Sequence, residues 1–211
     1  MASDAGASGP VMQLLASGLQ LWIRQQCQSI ESLEIDLRGS ALGLLRGRLE
    51  GVQLLARRAV YQHLPIEQVE LNSEAISVQM GNLLKGKPLS LDQPFAIAGQ
   101  LSFSAAGLTS LLSHPQWHGL AEQLQDRLLG QLPLLQVQIQ SSALVFVLQG
   151  SAATDRVELQ VQPRAADGTL DLCSPAGERL FRFPMDPNIT IERVWIAAGM
   201  LQLQGRARVS P

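Results

Sequence analysis

The sequence is short of the residues on which most chemistry rests. Among 211 residues there are 3 histidines and 2 cysteines, with 4% aromatic and 16% charged residues. Cys27 and Cys173 lie far apart among apolar neighbours. They form no disulfide framework and read as buried thiols of a reducing compartment. With 5 Phe, 3 Trp and 1 Tyr, the chain lacks stacking platforms for single-stranded nucleic acid. A formal net charge of -2 and a pI near 5.9 remove a global electrostatic grip on a polyanion, so nucleic acid is not expected as a partner. No uninterrupted apolar run reaches the roughly 18 residues of a spanning helix. Residues 1–10, MASDAGASGP, are small and polar and carry Asp4 where an export signal would carry basic residues. They are expected to be a disordered N-terminus ahead of one domain over residues 11–211. The expected location is cytoplasmic, peripheral where the protein meets the inner face of a membrane.

Catalytic signatures are equally sparse. His114 and His118 are spaced as two ligands on one helical turn, yet no carboxylate accompanies them in the zinc-protease pattern. Pro115 places His114 at a helix cap, and His63, in a strand-end loop, has nothing to pair with. In Gly39-Ser40-Ala41-Leu42-Gly43 the serine stands one position away from where a nucleophile elbow needs it. Phosphate-cradling glycine loops are missing as well. These patterns supply no catalytic residue, no metal site and no cofactor, and an enzyme is not expected.

What the chain does have is 46% hydrophobic residues, chiefly Leu, Val, Ile and Ala, arranged in two periods. Residues 11–28 read as a helix, with a polar stripe of Gln13, Ser17, Gln20, Arg24 and Gln28 opposite Leu15, Leu19, Trp22 and Ile23. Its apolar arc is wide, which suits either a helix packed on a sheet or one facing lipid. From residue 30 the period becomes 2: Leu33, Ile35 and Leu37 alternate with Glu34, Asp36 and Arg38. Further strands follow in VQLLARRAV, IEQVELN, AISVQM and FAIAGQLSF. A helical island at 105–130 begins with Ser104 as a cap and carries Leu108, Leu111 and Leu112. Its second helix, opened by Pro115, carries Trp117, Leu120, Ala121, Leu124 and Leu128, and Gly130 and Pro133 end it. Strand patterns then return in LQVQIQ, ALVFVL, RVELQVQ, TLDLC, RLFRF, ITIERVWI and LQLQGRARV. One-sided alternation over so many strands predicts an α+β fold, a large curved antiparallel β-sheet wrapped on a few amphipathic helices.

The segment GSALGLLRGRLEG, residues 39–51, sets glycine at every fourth position, the spacing of close-packed membrane helices. Arg46, Arg48 and Glu50 and the period-2 flanks argue instead for strands joined by a Leu-Leu-Arg turn. LLRGR at 44–48 recurs as LLKGK at 83–87, which holds both lysines of the protein. Leucines beside basic residues in a turn suit the surface of an anionic bilayer.

The succession of Leu-Leu-Arg-Gly-Arg-Leu-Glu-Gly-Val-Gln-Leu, Leu-Leu-Lys-Gly-Lys-Pro-Leu and Phe-x-Ile-x-Gly-x-Leu-x-Phe-Ser-x-x-Gly-Leu-Thr-x-Leu-Leu resembles the LmeA-like phospholipid-binding family. The likeness runs over residues 20–209 in order and spacing, closest to the members without an export signal. It implies a curved, tubular, lipid-binding architecture with an apolar cavity, and binding of phospholipid rather than its turnover. Under that reading a phospholipid or other acyl lipid lies between sheet and helices. Leu15, Leu19, Trp22, Leu108, Leu111, Leu112, Trp117, Leu120 and Leu124 then line the cavity. Leu44, Leu45, Arg46, Arg48, Leu83, Leu84, Lys85 and Lys87 meet the membrane and its headgroups. The alternative is a structural or assembly module with a fully packed core, docking an unknown protein partner through the basic turns or the N-terminal helix.

Overall fold

Period-2 patterning becomes strand wherever it is sustained. The computed structural model describes residues 10–77, 92–152 and 154–210. Helix α1 (Pro10–Gln26) runs without a loop into β1 (Cys27–Arg38), three residues ahead of the expected start, and α2 (Ala41–Leu45) follows. The next elements are β2 (Arg48–Leu49), β3 (Gly51–Tyr61), β4 (Leu64–Ser73), β5 (Ile76–Ser77) and β6 (Phe95–Phe103). The helical island gives α3 (Ala105–Ser113) and α4 (His118–Leu124), the latter ending in a wide π-type turn over Gln125–Leu129. After it come β7 (Leu134–Ile139), β8 (Leu144–Gln149), β9 (Arg156–Ala166), β10 (Thr169–Cys173), β11 (Arg179–Arg182), β12 (Ile189–Ala197) and β13 (Met200–Val209).

The fold is α+β, and among the described residues all of the strand pairs are antiparallel. The strands divide between open sheets. One has six strands in the order β1-β3-β4-β6-β13-β12, another five in the order β11-β10-β9-β8-β7, and β2 and β5 make a small ladder of their own. The expected Leu-Leu-Arg turn is the helical turn α2, capped by Ser40 Oγ accepting from the Gly43 amide at 3.0 Å. Gly47 follows it at φ 75°, where a side chain would be strained. Of the expected strand AISVQM, Ile76 and Ser77 form β5 and Ala75 precedes it outside any strand; residues 78–80, and Leu83, Leu84, Lys85 and Lys87, lie outside the described residues.

Pairing register shows what the six-stranded sheet puts on each face. Leu33, Ile35 and Leu37 align with Ala56, Leu54 and Val52. Ala56 and Leu54 align in turn with Val69 and Leu71. The same face continues through Leu101, Gly99 and Ile97 on β6, then Leu203, Gly205 and Ala207 on β13 and Ile189, Ile191 and Val194 on β12. This apolar face is covered at two places. The main core sets Phe103, Leu201 and Ile66 against Phe146, Val161 and Leu172 of the five-stranded sheet and Leu124 and Leu129 of the helical island. A smaller cluster at the β1 edge holds Met12 of α1, Leu37, Leu44 of α2 and Leu49.

The run ALVFVL is buried throughout, which explains its lack of alternation. Hairpin β10–β11 is fastened by Asp171, buried at the sheet, whose carboxylate accepts from Arg182 Nε at 2.7 Å and Nη2 at 2.8 Å. Those hydrogen bonds hold the Asp171 carboxyl below its ordinary pKa, against the opposing effect of burial. Burial pushes the Cys27 thiol up, so it is the less reactive thiol form that prevails.

Candidate functional site

Two apolar spaces lie on the apolar face of the six-stranded sheet. The first is a cavity of about 120 Å³ under the helical island, walled by Phe103, Leu108, Leu111, Leu112, Leu124 and Phe146 among others, with no polar lining. The second is an open groove of about 190 Å³ over β4, β6, β13 and β12, bordering the main core through Leu101 and Leu203. Leu71, Ile97, Leu101, Ile189 and Ile191 wall the groove, and Gly99, Gly205 and Ala207 floor it. Leu203 lines both spaces, which places them side by side on the same face. A Cβ at Gly99 would lie 2.5 Å from Leu71 Cδ2, and one at Gly205 would lie 2.3 Å from the Thr190 carbonyl oxygen. The missing side chains thus let strands and side chains close up beneath a shallow, smooth floor.

Local chemistry holds the helices over the cavity. Ser104 Oγ accepts from the Gly107 amide at 3.1 Å and donates to Glu67 Oε1 at 2.6 Å, tying the start of α3 to β4. Thr109 Oγ1 donates to the Ala105 carbonyl at 2.9 Å and accepts from the Val137 amide at 2.8 Å, tying α3 to β7. Trp117 Nε1 donates to the Gln62 carbonyl at 3.0 Å, and the His114 ring stacks on His63 with centroids 3.9 Å apart. Both contacts clamp the link between α3 and α4 onto the β3–β4 hairpin. His114 Nδ1 caps that link by accepting from the Gln116 amide, while His118 pairs with Glu122 at the surface. Among the described residues no cluster of His, Cys, Asp and Glu is arranged to hold a metal ion.

The expected helical wall divides in two. Leu108, Leu111, Leu112 and Leu124 come together on the cavity, and Leu120 packs against the same core. Trp117 is engaged at the hairpin instead. Leu15 and Leu19 pack in the separate cluster at the β1 edge, and Trp22 points to solvent. The groove residues Ile97, Gly99, Leu203 and Ala207 were missed, although the alternation and small residues of FAIAGQLSF and LQLQGRARV carried the signal.

The expected membrane-contact residues also divide. Leu44 is buried in the small cluster, whereas Leu45, Arg46 and Arg48 are exposed. Leu42 joins them, and on α1 so do Leu14, Leu21 and Trp22. These five large apolar side chains, between 57% and 76% exposed, exceed every other large hydrophobic among the described residues. Both helices pack on the same small cluster at the β1 edge. Neither helix contains an acidic residue, and Arg24, Arg46 and Arg48 accompany them. No helix among the described residues is long and apolar enough to cross a membrane.

A family model described as LmeA-like phospholipid-binding matches residues 6–206. Neither a curated protein nor a solved structure matches the chain.

Proposed function

Because the chain belongs to the LmeA-like phospholipid-binding family, we propose that it takes up one phospholipid, without turning it over, from the surface of an anionic bilayer. The observation that carries this reading is the groove on the apolar face of the six-stranded sheet, left open by the described residues, with the apolar cavity next to it. Alone, the cavity is close to the ~150 Å³ space that admits benzene and is too small for an acyl chain. Joined by a rotamer shift of Leu203, which lines both, groove and cavity come near ~300 Å³, the lower end of ordinary ligand sites. An acyl chain lies along Ile97, Ala207 and Leu203 and reaches beneath α3 toward Leu108 and Leu111.

Docking is assigned to the end built by α1 and α2. Leu14, Leu21, Trp22, Leu42 and Leu45 enter the acyl boundary while Arg24, Arg46 and Arg48 meet phosphates, a division of labour that suits an interfacial helix. Lys85 and Lys87, beside Leu83 and Leu84, take the same role on their sequence alone. The protein is then peripheral to its membrane and needs no cofactor. Native mass spectrometry of the purified protein tests the reading. One phospholipid-sized adduct, exchangeable with labelled vesicles, is expected. A lipid-free mass that gains no lipid from vesicles would overturn it, and with a captured protein partner would favour an assembly role.

A further inference from the structure

The opposite face of the six-stranded sheet carries a cleft of different character. Pairing register places Ser32, Arg57, Gln68, Ser102 and Gln202 in one row across five strands. Beside it run Glu34, Leu55, Glu70 and Gln100. These two rows line an open cleft of about 210 Å³, separate from the lipid spaces on the other face. A polar row on a solvated sheet face is ordinary, but two of these residues are not solvated. Ser102 is 1% and Gln202 7% exposed, and among the described residues Ser102 Oγ meets no hydrogen-bond partner. A buried hydroxyl left unsatisfied is destabilising and marks a place where a ligand group completes the bonding.

We propose that this cleft binds a neutral polyhydroxylated ligand, a single sugar-type ring, through Ser102, Gln202 and the side chains around them. The lining offers what vicinal hydroxyls need. Glu34 and Glu70 accept, Arg57 donates, and the amides of Gln68, Gln100 and Gln202 do both. Gln100 Nε2 already donates to Gln202 Oε1 at 3.4 Å, a long contact that a ligand hydroxyl can take over. Two carboxylates against one guanidinium repel phosphate, sulfate and an anionic membrane, so this face is not the docking end. The volume admits one ring, not a chain. The ring is either a free sugar or the glycosyl headgroup of a lipid.

The test is a heteronuclear NMR titration of the full chain with methyl α-D-glucopyranoside, methyl β-D-galactopyranoside and, separately, sodium phosphate. Saturable shifts of the side-chain amides of Gln68, Gln100 and Gln202 with a glycoside, and none with phosphate, are expected. Ser102→Ala should weaken binding about fivefold, the worth of one hydrogen bond, and leave the melting temperature unchanged or higher. Gln68→Ala, at an exposed position, should weaken binding without touching the fold. Vesicles of phosphatidylcholine with and without a glucosyl diacylglycerol distinguish the lipid source from the free sugar. Shifts that never saturate, a stronger response to phosphate, or a Ser102→Ala protein that is destabilised with glycoside binding intact would each overturn the proposal. Phospholipid occupancy of the other face is read independently by mass, so either proposal can fail alone.

Discussion

Replacing two exposed leucines should separate docking from folding. Leu21 is 60% and Leu45 61% exposed. Full burial of a leucine side chain is worth about 1.5–3 kcal/mol, so a bilayer that covers the exposed six-tenths gains roughly 1–2 kcal/mol per residue. Leu21→Ser/Leu45→Ser therefore forfeits about 3 kcal/mol of interfacial binding, about 100-fold in the partition coefficient. Folding barely changes, because substitutions away from buried features move stability by about 0.5 kcal/mol or less. Cosedimentation with phosphatidylglycerol-containing vesicles reads the partition coefficient, and thermal denaturation reads the fold. Salt separates the two contributions. Arg24, Arg46 and Arg48 add about 1 kcal/mol each at an anionic surface, and that part is screened while the leucine part is not. A well-folded double variant that binds within about twofold of the parent would refute the assignment of α1 and α2 as the docking end.

Ala207→Phe places a ring in the groove without entering either core cluster, and native mass spectrometry should show loss of the phospholipid adduct with the melting temperature held. Thr109→Val leaves the Val137 amide without its acceptor at a part-buried junction, and chemical denaturation should report a loss of about 1–2 kcal/mol. Asp171→Asn removes the anion that fastens the β10–β11 hairpin, and should cost about 2 kcal/mol at neutral pH by the same measurement. Since that carboxyl is held below its ordinary pKa, its contribution is complete above about pH 5 and disappears as pH falls below about 4. The acid limb of a stability-against-pH curve should therefore be flatter in the variant. Gly205→Ala drives a Cβ into the Thr190 carbonyl and should lower the melting temperature, whereas Gly119→Ala, where a Cβ meets nothing within 4 Å, should not.

The strands were legible because period-2 alternation is a local property. FAIAGQLSF and TLDLC coincide with β6 and β10 to the residue, and Ser104, Pro115 and Gly130 stand at helix boundaries for reasons that act within one turn. The division into two open sheets was not legible. Alternation tells which side of a strand is apolar, and says nothing about which strands neighbour one another. The division of the expected helical wall was not legible for the same reason. Leu15 and Leu111 have the same chemistry, and only topology sends one to the β1 edge and the other to the cavity.

One clue to that topology was nevertheless present. A helix joined to a strand without a loop folds back only onto its own end of the sheet, and α1 runs directly into β1. Met12, Leu15 and Leu19 therefore meet Ile35, Leu37 and Val52, too small a surface to cover the wide apolar arc of the helix. What the sheet cannot cover stays outward, which is why Leu14, Leu21 and Trp22 are exposed in a helix with no acidic residue. The same shortage of cover explains the groove. The main core uses α3, α4 and the five-stranded sheet on one end of the apolar face, α1 covers the β1 edge, and nothing in the described chain remains for Ile97, Ala207 and Ile189. Among the described residues the sheet is larger than its helical cover and leaves apolar surface in two places, the two that the proposed function assigns to a bilayer surface and an acyl chain.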